Sequence, residues 1–133
     1  KYGIELRREL AELPMVFLDR HRVVQILINL VRNARQAVTS SGCADGVVSV
    51  HSFASEDAQR IIIEVRDNGE GISPENLNRI FHHGFTTKPD GQGTGLGLSL
   101  SRQIVERFGG SLTHEPRAPR GSRFTVTLKA YEN

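Results

Sequence analysis

Tryptophan is absent from the 133 residues, and there is one cysteine, Cys43, and one methionine, Met15. A single thiol builds no disulfide framework, so the chain is no stapled extracellular scaffold, and a lone Cys43 in Ser40-Ser41-Gly42-Cys43 points to a reducing compartment. Long apolar runs are missing too: none nears the roughly eighteen residues of a membrane-spanning helix, and no signal-peptide pattern is present. Excess charge of one sign is also lacking. Seventeen Lys and Arg against fifteen Asp and Glu leave +2, with the basic residues scattered, which argues against nucleic acid as a partner. There is no low-complexity segment, internal repeat or linker, and 38% hydrophobic with 24% charged residues is an ordinary globular balance. The length fits one domain spanning 1–133.

Glycine, by contrast, is plentiful: of 13, Gly69, Gly71, Gly84, Gly91, Gly93, Gly95 and Gly97 crowd into one central stretch. Around it the periodicities are regular. Tyr2 to Leu10 and Met15 to Leu18 predict one or two short strands. From Asp19 as N-cap to about Thr39, Val23, Leu27, Leu30, Ala34 and Val38 mark the apolar face of a long helix, and Arg22, Gln25, Asn29, Asn33 and Gln36 fall on a stripe opposite. Val47 to Ala54 and Arg60 to Arg66 predict two strands joined by a hairpin at Ser55 to Gln59. Ser73-Pro74-Glu75 predicts a short helix to about Phe81, and Leu96 to Phe108 another that Gly109-Gly110 ends. Between these two helices, His82 to Thr94 has no periodicity and is long enough for a functional lid. Ser111 to His114 and Ser122 to Lys129 predict a closing hairpin. That order predicts an α+β architecture, with helices on one face of a mixed sheet.

Three constellations carry chemistry. Asn29 and Asn33 stand one turn apart; they are either a solvated polar stripe or amide oxygens, neutral hard ligands suited to a Mg²⁺ ion already bound to phosphates. Asp67-Asn68-Gly69-Glu70-Gly71 follows a strand; it is either an ordinary turn or a carboxylate that accepts from the exocyclic amine of adenine, with glycines letting backbone approach a flat ring. Gly91-Gln92-Gly93-Thr94-Gly95-Leu96-Gly97 opens a helix, where glycine and helix N-terminal N–H groups can wrap a phosphate, although it matches neither a Walker loop nor a dinucleotide fingerprint. Thr86-Thr87-Lys88 adds hydroxyls and a cation upstream.

Taken together, Gln25 to Ala34, Asp67 to Ile72, Ile80 to Lys88 and Gly93 to Leu98 occur in an order and at spacings that resemble the catalytic and ATP-binding domain of sensor histidine kinases, over essentially the whole chain. The resemblance implies a Bergerat-type fold, a two-layer α/β sandwich holding ATP between the long helix and a mobile lid. Residue by residue it implies Asn33 as the Mg²⁺ ligand, Asn29 as its neighbour near the phosphates and Asp67 as the adenine reader, with Gly69, Gly71 and Ile72 lining the base. Phe85, Thr86, Thr87 and Lys88 match the lid motif. Gly93, Thr94, Gly95, Leu96 and Gly97 match the phosphate-facing loop, and Thr125 is similar to the position beneath the base. Asn29, Asn33 and Lys88 would serve catalysis. The implied reaction transfers the γ-phosphoryl group of ATP to a histidine on a separate dimerisation segment, within a homodimeric parent that signals to a response regulator. The chain would lie in the cytoplasm, in a parent that could be membrane-anchored.

Two residues depart from the pattern. Gly84 replaces a common Phe in the lid string, and Gln36 stands where some members carry a basic residue, which shifts the phosphate clamp to Lys88 or Arg32. No phosphoacceptor is visible. His21, His51, His82 and His83 have no acid after them, and His114-Glu115-Pro116 falls in a predicted hairpin as a solvated residue; the chain is therefore expected to be part of a larger sensor. His82-His83 makes no metal pair. The hydrolytic relatives that share the implied fold place Glu where Asn29 stands, so a hydrolase is disfavoured; a non-catalytic nucleotide-responsive module is the other alternative.

Overall fold

A computed structural model of the chain describes residues 5–10, 20–42, 44–57, 59–77, 79–81 and 97–129. Its elements are β1 (Glu5–Leu10), α1 (Arg20–Ser41), β2 (Val47–Ala54), β3 (Arg60–Asp67), α2 (Gly97–Arg107), β4 (Ser111–Pro116) and β5 (Ser122–Lys129). The strands form one five-stranded sheet in the order β1-β2-β3-β5-β4, with β1 parallel to β2 and every other pairing antiparallel. Both helices pack on one face of it. The expected α+β, two-layer arrangement on a mixed, mostly antiparallel sheet is what the chain adopts.

Period-two alternation explains the layers. On β3 the side chains of Ile61, Ile63, Val65 and Asp67 turn to the helices, and on β5 Ser122, Phe124, Val126 and Leu128 do the same. Against them α1 lays a row four residues apart, Ile26, Leu30, Ala34 and Val38, all buried, with Val23, Leu27 and Val31 beside it. The row thus runs through Ile26 instead of the predicted Val23 and Leu27. The true solvent face of α1 carries Val24 and Ile28, 46% and 49% exposed, while Asn29, Asn33 and Gln36 are half-buried on its flank and not diametrically opposite the core.

Local chemistry sets the ends. The Gly42 N–H donates to Thr39 O at 3.2 Å with φ +71°, a left-handed stop for α1. The α2 helix closes with Gly109 N–H on Glu106 O at 3.1 Å and Gly110 N–H on Val105 O at 3.0 Å, the paired 5→2 and 6→1 bonds of a Schellman turn at a φ of +81°. At the β2–β3 hairpin, Ser55 N–H donates to Arg60 O at 2.9 Å, and Asp57 accepts from the Ser55 hydroxyl at 2.7 Å and the Gln59 N–H at 3.0 Å. Those same bonds hold the Asp57 carboxyl below its ordinary pKa.

One predicted element is absent: among the described residues, 74–77 and 79–81 form turns and no helix. Asn76 N–H bonds to Ser73 O at 2.9 Å and Arg79 N–H to Asn76 O at 2.8 Å, the short i→i+3 pattern. Pro74 brings no donor to a helix, and the Arg79 side chain closes the turn by donating from Nη2 to Asn76 Oδ1 at 2.8 Å. The run Met15 to Leu18, the Asp19 cap, Cys43 and the segment 82–96 lie outside the described residues.

Candidate functional site

The end of the site expected to meet a base is built on the last residue of β3. Alternation carries Asp67 inward, where it is 1% exposed, and its Oδ1 accepts the Gly69 N–H at 2.8 Å. Burial raises the Asp67 pKa, while the N–H groups of Gly69 and Ser122 and the nearby Arg117 oppose the shift. The carboxylate is therefore buried, partly satisfied by backbone donors, and still able to accept from an incoming amine. The turn after it is fixed on every side. Asn68 Oδ1 accepts from Val47 N–H at 2.9 Å, and its Nδ2 donates to Asp45 O at 3.0 Å. Arg117 Nη1 donates to Asp67 O at 3.0 Å, and Arg120 Nε to Asn68 O at 2.7 Å.

Gly69 joins this turn to the helix. A Cβ there would lie 2.5 Å from the Ala37 carbonyl carbon and 2.7 Å from its oxygen, so only glycine fits, and the next residue, Glu70, donates its N–H to Ala37 O at 3.2 Å. Gly71 adopts φ +74°, and the half-buried Ile72 packs on the core edge. Along α1 from this junction lie Gln36, Asn33 and Asn29. Ala37 is about 6 Å from Asn33 and about 12 Å from Asn29 along the axis at 1.5 Å per residue. Asn29 spends its amide nitrogen on Ser101 Oγ of α2 at 3.3 Å, tying the two helices together. Gln36 Oε1 is buried with no hydrogen-bond partner. Among the described residues no three His, Cys, Asp or Glu side chains converge. The oxygens on this flank are neutral amides, with one acceptor unsatisfied, a donor set that fits a hard cation whose charge is balanced by phosphates.

Next to the base end, His114 Nε2 lies 2.9 Å from Ser122 Oγ, and its ring rests on Phe124 at 4.9 Å between centroids and 58° between planes. It is half-buried in β4, not a solvated hairpin residue as expected, and burial lowers its pKa. Phe124 in turn meets Phe81 edge-on at 6.4 Å, and the Arg102 guanidinium of α2 covers Phe81 at 4.7 Å.

The expected site residues divide accordingly. Asp67, Gly69, Gly71 and Ile72 gather around one turn, and Asn29 and Asn33 share the adjoining helix flank. Gly97 is the first residue of α2. Phe85, Thr86, Thr87, Lys88, Gly93, Thr94, Gly95 and Leu96 lie outside the described residues. Thr125 requires correction: it pairs with Glu64 and Thr113 on the sheet face turned away from the helices, because it is an odd number of residues from Ser122 and Phe124. The β5 residue that sits opposite Asp67 on the same face is Ser122, 3% exposed. Counting back by two from Phe124 could have found it. Arg117 and Arg120, which clamp the Asp67 turn from the β4–β5 loop, gave no sequence signal.

This fold and site define a class. Residues 18–132 match the family model described as histidine kinase-, DNA gyrase B- and HSP90-like ATPase, and the chain belongs to that family. Within it, the relatives it is similar to are sensor kinases. It is 42% identical over 120 residues to the sensor protein ChvG of Agrobacterium fabrum, covering 84% of this chain and 19% of ChvG. It is 41% identical over 116 residues to the sensor histidine kinase ZraS of Escherichia coli K12, covering 87% of this chain and 23% of ZraS. The chain thus spans about a fifth of the length of these curated relatives. Among solved structures, the catalytic domain of the histidine kinase ThkA superposes with a TM-score of 0.78 at 32% identity, over 96% of this chain and 80% of that one. Full-length ShkA, solved in complex with AMPPNP, superposes at 0.79 with 26% identity, over 98% of this chain and 27% of ShkA.

Proposed function

We propose that this chain binds ATP with Mg²⁺ and donates the γ-phosphoryl group to a histidine on a dimerisation segment of the same sensor kinase, the first step of a two-component relay to a response regulator. The observation that carries the reading is the junction of Gly69 and Glu70 with Ala37, which sets a buried carboxylate at one end of a helix flank bearing Asn33 and Asn29 farther along. Base recognition and phosphate placement then share one rigid support. Asp67 accepts from the adenine amine, and the backbone of Gly69 and Gly71 lets the ring approach. Asn33 would hold the cation through its amide oxygen, with the unpartnered Gln36 Oε1 nearby as an acceptor for a donor that arrives with the ligand. Bound with the triphosphate, Mg²⁺ would offset charge on the β- and γ-oxygens. Lys88, Thr86, Thr87 and the glycines from Gly93 to Gly97 are assigned to the phosphates through their sequence positions.

The chemistry asked of the chain is placement. A bond forms between the acceptor imidazole nitrogen and the γ-phosphorus as the bond to the β,γ-bridging oxygen breaks, and ADP leaves. A neutral imidazole is its own nucleophile, so no base is required from this domain, and Asn29 where a carboxylate would activate water disfavours hydrolysis. The parent is proposed to be a homodimer acting in the cytoplasm. Incubation with γ-labelled ATP tests the reading: the chain alone should bind nucleotide and stay unlabelled, and adding the parent's dimerisation segment should label that segment with an acid-labile phosphate, slowly because the two pieces are not linked. Stable label on the chain alone, or rapid phosphate release without the segment, would overturn it.

A further inference from the structure

The proposed reaction gives His114 no task, yet its surroundings are specific. The β4 register sets it opposite Phe124, and Nε2 reaches Ser122 Oγ at 2.9 Å on the neighbouring strand. Ser122 is itself buried, stands opposite Asp67 on the same sheet face, and offers its backbone N–H to the Asp67 carboxylate. Directly opposed residues on one face of an antiparallel pair have Cβ atoms about 5 Å apart. The Ser122 hydroxyl is thus in reach of the imidazole and shares a sheet face with the carboxylate assigned to the base, one residue across the register.

We infer that His114 is a positioning residue for the base end: its protonation state decides which way the Ser122 hydroxyl points beside Asp67, and so which hydrogen-bonding polarity the site presents to a purine. The inference rests on the nucleotide reading of the site. A hydroxyl has one proton to give and two lone pairs. A cationic imidazole has only donors, so Ser122 must accept from Nε2, which leaves its own proton free to point to the base. The pocket then offers a donor next to an acceptor, the complement of an adenine edge with its amine and adjoining ring nitrogen. A neutral ring protonated on Nδ1 takes the Ser122 proton instead, leaving two acceptors side by side, which matches that edge less well; the Nε2–H tautomer would leave the hydroxyl as the cation does, so the inference includes Nδ1–H as the neutral form. Adenine binding thus favours the protonated ring.

The charged groups around His114 leave Asp67 as the one coupled to it through Ser122. Glu115, next in sequence, faces the other side of the sheet and is bound by Arg123. Arg117 is engaged on the Asp67 carbonyl. On α2, Arg102 pairs with Glu106 at 3.1 Å while lying over Phe81. Burial holds the free ring below its ordinary pKa, with Glu115 opposing. A ligand that prefers the cation must raise that pKa on binding, and its own affinity must fall as pH rises through the titration.

The test follows the His114 ring by NMR from pH 5 to 8, free and saturated with ADP without metal, assigning the signal by its loss in His114→Gln. Calorimetric ADP affinities of both proteins accompany it, so that titration of the phosphates, common to both, cancels. The expected result is a pKa higher by roughly half to one unit in the complex, and an ADP affinity that falls about threefold to tenfold more with rising pH in the wild type than in His114→Gln. Ser122→Ala should abolish the rise. An unchanged pKa with ADP bound overturns the inference, and so does an equal rise in Ser122→Ala, which would assign it to the field of the phosphates. Failure of ADP to bind at any pH removes the purine reading itself and this inference with it.

Discussion

A Cβ on Gly121 would overlap the carbonyl oxygen of Asp67 and lie 2.9 Å from the Cα of Asn68. The glycine, at φ +112°, lets the start of β5 pass directly under the turn that carries the buried carboxylate.

Gly121→Ala should therefore cost roughly 3 kcal/mol or more, since backbone on both sides must shift and the dihedral is strained as well. Gly42→Ala, at φ +71° with open space around it, should cost only about 1 kcal/mol. Urea midpoints of the two variants check this; equal losses would mean that the close approach carries no energy.

Asp67→Asn should weaken ADP binding by about 1 to 3 kcal/mol, because the amide can present a donor to the adenine amine. Stability should move the other way. Burial raises the folded pKa of Asp67, so the stability linked to this group is present below the unfolded carboxylate pKa and lost as pH rises through the folded value. The neutral Asn escapes that loss, and the variant should gain on the wild type in urea titrations as pH increases from acid to neutral. A gap that narrows with rising pH would contradict the assignment.

Asn33→Ala should remove the dependence of ATP-analogue affinity on Mg²⁺ while leaving metal-free affinity little changed. Because Asn33 is half-buried on the flank of α1, a small stability loss of about 1 kcal/mol is expected with it. Calorimetric titrations with and without Mg²⁺ separate the two effects, and an undiminished Mg²⁺ effect would move the cation elsewhere.

Leu30→Ala, at the centre of the buried row of α1, should cost about 3 kcal/mol, whereas Ile28→Ser on the exposed face should stay within about 0.5 kcal/mol. Thermal and urea unfolding both report this contrast. A large loss at Ile28 would show that the outer face of α1 is covered.

The strands β3 and β5 were legible from their apolar residues, and α1 from the spacing of Leu30, Ala34 and Val38, because burial against one layer imposes a period on the sequence, whereas Ile26 in the same buried row was passed over. Gly109 was legible as a stop because its left-handed backbone excludes most other residues. Gly69 was read as letting backbone approach a flat ring, whereas its missing Cβ faces the backbone of Ala37, 32 residues earlier in the chain, which leaves no local trace. Thr125 was misplaced by one step of a two-residue period. His114 looked solvated because nothing near it in sequence reveals that Phe124 and Ser122 lie across the register, and the turns at 74–77 and 79–81 looked helical because Pro74 suits a helix start and a tight turn equally.

The contact of Gly69 with Ala37 also makes chain length a constrained quantity. With the base end welded to α1 at Ala37, the helix acts as a ruler whose other mark is Asn33. One residue inserted between those marks would swing the Asn33 amide by about 100° and shift it by about 1.5 Å, enough to turn it off the flank altogether. A residue inserted at the tip of the Ser55 to Gln59 hairpin disturbs neither mark. Insertions and deletions should therefore be tolerated at that tip and selected against between Asn33 and Ala37, however benign the amino acids involved.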